Sequence, residues 1–165
     1  MKTIKFIVIV LSSFVLSCTP LRQVTVIKND NIENYKYVYV SPTNSLTATS
    51  GQVYGGDYGL QGSAVSRSIN PSDVISGILL KEGFIQLSGL NPELTAETLI
   101  INYGESGRRY ILGHTYTIEV TIQFISARTN RLVCSCTAEG QGETEVDDIR
   151  QAITRCLTDL LSKEN

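Results

Sequence analysis

The 165-residue chain lacks an excess of basic residues, a second long apolar run and any histidine other than His114. With 14 basic and 16 acidic residues and no basic stripe, it is not expected to bind nucleic acid. Without a second apolar run, no segment after the first is predicted to span a membrane. No Ser/His/Asp catalytic arrangement can be assigned around this one histidine. The spacing of the glycines does not match that of a phosphate-binding loop. We therefore predict neither catalysis nor a metal or cofactor.

The apolar segment at the amino terminus is predicted to be a targeting signal. Two lysines precede an apolar run over residues 6–16, about 11 residues long, whereas a membrane-spanning helix needs about 20. The run ends in VLSC at 15–18, which resembles the bacterial lipobox. That resemblance implies cleavage before Cys18 and acylation of this cysteine, whose acyl chains would anchor the protein in a membrane. An ordinary secretory signal with an incidental cysteine is the alternative.

The residues that follow Cys18 contain neither an adjacent aspartate nor an acidic run. This pattern resembles outer-membrane sorting of lipoproteins, and the acidic run that directs some lipoproteins to the cell surface is missing. We therefore expect an outer-membrane protein that faces the periplasm, with the membrane and an envelope protein as its partners. The predicted organisation is a signal peptide over 1–17, a lipidated tether over 18–34 and one domain over 35–165.

The spacing of apolar residues predicts an α+β domain. Strands are predicted over 35–40, 84–87, 98–103, 116–124 and 132–139, helices over 71–82 and 145–162, and a short extra strand over 23–27. Each helix has a single apolar stripe, which must be buried against the sheet. The predicted order β-α-β-β-β-β-α describes a two-layer sandwich, with a largely antiparallel sheet and the helices on one face.

This order of elements resembles a group of small bacterial envelope domains. The group includes the periplasmic domain of LpoB-type lipoproteins, CsgG-like lipoproteins, the amino-terminal domain of TolB and related lipoprotein families of unknown function. The resemblance lies in YKYVYV at 35–40, LLKEGFIQL at 79–87 and the hairpin YTIEVTIQFISARTNRLVCSCTAEG at 116–140 before the last helix. It implies a fold and an envelope setting, and it transfers no site residues. A non-catalytic binding or accessory role in envelope assembly or maintenance is the function we expect.

The segment 43–69, between the first domain strand and the first helix, is predicted to be a long loop rich in glycine and tyrosine. Loops of this length are usually either functional or disordered. Tyrosine among small residues makes an adaptable binding surface, so Tyr54 and Tyr58 are candidate contacts for a partner or ligand. A flexible loop without a role and a short hairpin around residues 55–57 are the alternatives.

The segment YGESGRRYILGH, residues 103–114, is predicted to be a loop that joins two strands. Arg108 and Arg109 in it are candidate ligands for an anion, because guanidinium groups donate forked hydrogen bonds. A glycan- or peptide-binding module that combines these arginines with the Tyr/Gly loop is therefore an alternative function. An enzyme of unknown type around His114 is a second alternative, although a solvated or turn-bonded histidine is the simpler interpretation.

Three cysteines remain besides Cys18. Cys134 and Cys136 are two residues apart on a strand and so share a face, and Cys156 lies on the apolar stripe of the last helix. In an oxidising compartment, a disulfide from Cys156 to Cys134 or Cys136 would link helix to strand. Three buried thiols that act as small apolar groups are the alternative. A metal site of these thiols and His114 is not favoured, because no groups are evident that would orient the ligands.

Overall fold

The computed structural model describes residues 21–56, 59–111 and 115–162, and it describes side chains over 21–48, 66–111 and 116–162. Within these ranges the protein is a mixed α+β structure, so the predicted class is confirmed. The strands are β1 (Thr25–Lys28), β2 (Tyr37–Val40), β3 (Leu46–Gly56), β4 (Gly59–Ile69), β5 (Ile85–Gln86), β6 (Thr98–Ile111), β7 (Thr115–Ser126) and β8 (Leu132–Gly140). The helices are α1 (Pro71–Lys81) and α2 (Glu145–Leu161), and short 3-10 helices occur at Ile32–Asn34 and Pro92–Glu97.

Six of these strands form one sheet in the order β1-β8-β7-β6-β2-β5, and β3 pairs with β4 in a separate two-stranded sheet. The pairs β1–β8, β8–β7 and β7–β6 are antiparallel. The strand β2 runs parallel to both β6 and β5. Parallel neighbours require a crossover connection, and the β3–β4 hairpin followed by α1 supplies it between β2 and β5.

The core lies between the six-stranded sheet and the helices. Helix α2 packs on β7 and β8, while α1 contacts α2, β2 and β5. From Ile118 to Phe124, every second residue of β7 is fully buried, as the alternating sequence predicts. Each large apolar side chain buried in this way contributes roughly 1.5–3 kcal/mol. The largest fully buried side chains include Ile75, Leu79, Leu99, Ile101, Ile118, Ile122, Phe124, Ile149, Ile153 and Leu157.

Both helices begin at the capping residues that local chemistry favours. The Asn70 side chain accepts a hydrogen bond from the Ser72 amide at 3.3 Å, and a proline occupies the first turn. The Thr144 hydroxyl accepts from the Asp147 amide at 3.3 Å at the start of α2. Gly83, with φ of 93°, follows α1 in the left-handed conformation that glycine tolerates best.

The prediction of a long loop over 43–69 is wrong. Leu46–Gly56 and Gly59–Ile69 are instead two 11-residue strands of one antiparallel hairpin, paired from Leu46↔Ile69 to Gly56↔Gly59. The alternative of a short hairpin around residues 55–57 is closer, but the paired strands are far longer than it assumed. Its glycines obscure the two-residue alternation of a strand, yet a strand pairs through backbone groups that glycine also has. Tyr58 and the side chain of Tyr54 lie outside the described residues.

The loop predicted over 103–114 is also largely absent, because β6 continues to Ile111. This extension pairs with β7 along its length, with a register shift between Glu105 and Gly107. Such a bulge accommodates an extra residue without ending the strand. His114, around which the enzyme alternative was built, lies outside the described residues.

The tether predicted over 18–34 is structured in part. Strand β1 pairs with β8, from Thr25↔Thr137 to Lys28↔Cys134, so the sheet begins well before residue 35. The predicted order of elements lacks this strand and the β3–β4 hairpin. Cys18 and the signal segment lie outside the described residues. None of the helices within the described ranges is long and apolar enough to cross a bilayer.

Candidate functional site

The two arginines that were expected to share an anion lie on opposite faces of β6, because adjacent residues of a strand alternate. The Arg108 Nη2 atom lies 2.6 Å from Glu145 Oε1, and its guanidinium stacks 5.2 Å from the centre of the Tyr116 ring. Arg109 binds Glu139 instead. Each arginine therefore has a carboxylate partner within the chain, and the pair does not form the predicted ligand site.

Glu139 is the most buried charged partner in this region, with 2% of its side chain exposed. Arg109 Nε donates to Glu139 Oε1 at 2.8 Å, and Arg109 Nη2 donates to Oε2 at 2.6 Å. The Arg22 amide donates a third hydrogen bond to Oε2 at 3.0 Å. These donors, Arg109 foremost, lower the pKa of Glu139 to about 2. The same hydrogen bonds raise the pKa of Arg109 above its ordinary value.

Arg155 of α2 completes this cluster. Its Nη2 atom donates to the Arg22 carbonyl at 2.8 Å, and its Nη1 atom donates to the backbone carbonyl of Glu139. We refer to Arg22, Arg109, Glu139 and Arg155 as the clasp, because they join the amino-terminal segment to β6, β8 and α2. Sequence reasoning assigned no role to Glu139. One sequence feature could have identified it: Glu139 is the only charged residue of β8 and lies near the end of that strand.

The clasp predicts a specific sensitivity to acid. The pKa of Glu139 is depressed by folding, so its contribution to stability is complete above about pH 4.5 and is lost as the pH falls towards 2. We expect the free energy of unfolding of the native chain to fall more steeply over this interval than that of Glu139→Gln. Urea unfolding at a series of pH values measures this difference.

The other carboxylates are the same in the native chain and in Glu139→Gln. Their contribution to the pH dependence of the free energy of unfolding therefore cancels when the two proteins are compared. The substituted chain should already be less stable at neutral pH, because glutamine leaves the Arg109 charge without its carboxylate. Parallel curves for the two proteins between pH 5 and 2 would show that Glu139 is not held ionised by the clasp.

The β3–β4 hairpin is attached to the rest of the domain at its base. Arg67 Nη1 lies 2.6 Å from the Asp147 Oδ2 atom of α2, and Arg67 Nη2 lies 3.7 Å from Glu143 Oε2. Leu46 and Ala48 pack against the core from the other strand. These contacts fix the base of the hairpin against the start of α2, and we refer to this contact region as the root of the hairpin.

Beyond this root, the hairpin has two strand edges that pair with no other described strand. Such edges bear backbone N–H and C=O groups that are ready to pair with another chain, and natural proteins usually protect them with charges or proline. Residues 44–66 include one charged residue, Asp57, and no proline. The hairpin thus lacks the usual protection against strand addition, and we treat it as the candidate interaction site.

The three described cysteines form one disulfide, which joins Cys136 to Cys156 with the two α-carbons 5.5 Å apart. Of the two pairings left open, this structure contains the one with Cys136, and the alternative of three free thiols is wrong. Cys134 is a buried free thiol. Its burial raises the pKa of this thiol to about 12, so it remains protonated at neutral pH. No group of potential metal ligands occurs among the residues whose side chains are described.

An open groove of about 850 Å³ lies at the end of the sheet where β8 begins. Its wall includes Lys28, Tyr35, Phe84, Cys134 and Leu161. Arg108 and Arg109 do not line this groove. The residues proposed for ligand binding are therefore not brought together there.

Comparison with known proteins identifies relatives by fold alone. No family model matches the chain, and no curated protein does. A PelC dodecamer structure from Paraburkholderia phytofirmans is similar at 14% identity with a TM-score of 0.53, over 86% of this chain and 100% of that one. A point variant of that PelC dodecamer is similar at 15% identity with a TM-score of 0.51, over 86% and 98%. The likeness is one of fold.

Proposed function

We propose that this chain is a lipid-anchored lipoprotein of the outer membrane, facing the periplasm, with a non-catalytic accessory role in the assembly of the cell envelope. Its domain would be a two-layer sandwich with both helices on one face of the sheet. The element that performs this role is the β3–β4 hairpin, through which copies of the chain associate. The lipobox-like VLSC at 15–18 supports the anchor. The resemblance to LpoB-type, CsgG-like and TolB-type envelope domains supports the setting.

The observation that carries this proposal is the hairpin with two unprotected edges. A strand edge recognises another strand by backbone hydrogen bonds, which supply affinity without a catalytic group or a deep pocket. Eleven residues per strand provide a long pairing surface. The similar fold of PelC occurs as a dodecamer, which favours a second copy of this chain over a different partner.

Anchoring and self-association are tested on the full-length protein. Wild-type protein should sediment with membranes and, after extraction in mild detergent, give a multi-copy species by light scattering and by chemical crosslinking. Thr47→Lys with Ser66→Lys places one charge on each hairpin strand, and deletion of 49–66 removes most of the hairpin. Both changes should produce single copies. Cys18→Ala should release the protein from membranes and leave the association of its copies intact.

A matched control places two lysines away from the hairpin, at the exposed residues Ala96 and Thr129. This variant has the same net charge as the hairpin variant and should remain multi-copy. A wild-type chain that is a single copy at all accessible concentrations would overturn self-association. Capture of one different envelope protein by a single-copy chain would also overturn it and would assign the hairpin to that partner. Retention of Cys18→Ala on membranes would overturn the anchor.

A further inference from the structure

Arg22 is held to the folded domain by both of its backbone polar atoms. Its amide donates to the buried Glu139 carboxylate at 3.0 Å, and its carbonyl accepts from Arg155 at 2.8 Å. A residue of a flexible tether would have neither partner. The ordered domain therefore begins at or before Arg22, only four positions after the cysteine that we propose to be lipidated.

We propose that the clasp holds the domain against the membrane surface in one orientation, with the end that includes Arg22 and Gln23 facing the lipid headgroups. This inference rests on the lipid anchor at Cys18. Four residues span at most about 14 Å, whereas the 17 residues of the predicted tether would reach about 60 Å. Because the clasp fixes Arg22 to the domain, the segment between Cys18 and the folded domain is much shorter than the predicted tether.

The surface around Arg22 suits contact with lipid headgroups. The Arg22 Nε atom lies 3.6 Å from Glu139 Oε1, yet 65% of the side chain is exposed, so the solvent-facing part of its guanidinium is accessible to anionic headgroups. Gln23 lies beside it, in a shallow depression that is also lined by Val24 and by Thr154, Arg155, Thr158 and Asp159 of α2. Apart from Val24, these side chains are polar or charged, which is compatible with a hydrated headgroup layer.

The opposite end of the domain is far from this surface. Leu132 and Glu139 lie near opposite ends of β8, and at about 3.4 Å per residue they are roughly 24 Å apart. The exposed turn that contains Arg128 lies beyond the start of β8. A clasped domain therefore keeps Gln23 near the membrane and Arg128 distant from it.

Tryptophan fluorescence measures this difference cleanly, because the chain contains no tryptophan. Gln23→Trp and Arg128→Trp would be made separately in the full-length lipidated protein. Each would be inserted in vesicles of phosphatidylethanolamine and phosphatidylglycerol with a dansyl group on some headgroups. Energy transfer to dansyl should be several-fold greater from residue 23 than from residue 128.

The role of the clasp itself is tested by Arg155→Ala, which removes the hydrogen bond to the Arg22 carbonyl. We expect transfer from residue 23 to fall and the fluorescence anisotropy of this tryptophan to fall with it. Arg150→Ala, at an exposed arginine of the same helix, is the matched control and should leave both signals unchanged. Circular dichroism and an intact Cys136–Cys156 disulfide establish that each variant is folded.

The outcomes separate this inference from the proposal on which it rests. Equal transfer from residues 23 and 128 in vesicle-bound protein would overturn the fixed orientation while the lipid anchor stands. If folded Arg155→Ala leaves the energy transfer from residue 23 and the anisotropy of its tryptophan unchanged, the clasp is not what fixes the orientation. Failure of the wild-type protein to sediment with vesicles would overturn the anchor and the orientation together.

Discussion

Replacing Gly140 with alanine is expected to lower the free energy of unfolding by more than about 4 kcal/mol, so that little folded protein accumulates. A Cβ atom at this position would lie 1.8 Å from the carbonyl oxygen of Asp148 and 2.8 Å from the amide nitrogen of Ala152. Both are backbone atoms of α2, so no side-chain rotation relieves the overlap. The helix would have to move off the sheet and open the core beneath it.

Gly77→Ala is the matched control for this effect. A Cβ atom at Gly77 would have no neighbour within 4 Å, and the residue lies inside α1. Because alanine favours the helix over glycine, this variant should gain up to about 1 kcal/mol. Urea unfolding followed by circular dichroism compares the two. Similar stability of both alanine variants would contradict the close approach of β8 and α2.

The second large effect is expected on removal of the disulfide by Cys136→Ala together with Cys156→Ala. These cysteines are 20 residues apart, and opening a loop of that size costs about 3 kcal/mol through the unfolded chain. Loss of two fully buried sulfur atoms from the core adds to this. We expect a correspondingly lower midpoint in urea, with reductant destabilising the wild-type chain but not the variant.

Cys134→Ala is the control, because it removes a buried sulfur from the same strand without removing a cross-link. It should reduce stability by much less than the double substitution and keep the sensitivity to reductant. Equal stability of the wild-type protein with and without reductant would contradict a stabilising disulfide.

The elements that were predicted correctly are those whose signals are local. The helices predicted over 71–82 and 145–162 are observed at Pro71–Lys81 and Glu145–Leu161, because their caps and apolar stripes are encoded within each segment. The β7–β8 hairpin was predicted from its alternation and turn. The β3–β4 hairpin was considered only as a short alternative to a loop, because glycine and small polar residues carry little strand preference.

Less of the candidate site than of the fold could be predicted from the sequence. Arg108 and Arg109 were grouped because they are adjacent, but in a strand adjacency places side chains on opposite faces. Assigning residues 103–111 to a strand would have separated them. The partners that they bind, Glu145 and Glu139, are 37 and 30 residues away along the chain. No local pattern predicts such pairings.

Composition and periodicity were sufficient for the α+β class, the two helices and the limits of most strands, since each depends on interactions between near neighbours. They also restricted the possible disulfide partners of Cys156 to Cys134 and Cys136, which share a face of β8. The folded chain selects Cys136, forms the clasp around Glu139 and pairs the edges of the β3–β4 hairpin with no other described strand. These features depend on the distance between elements that are remote in sequence, and that distance is set by how the sheet and helices pack as a whole.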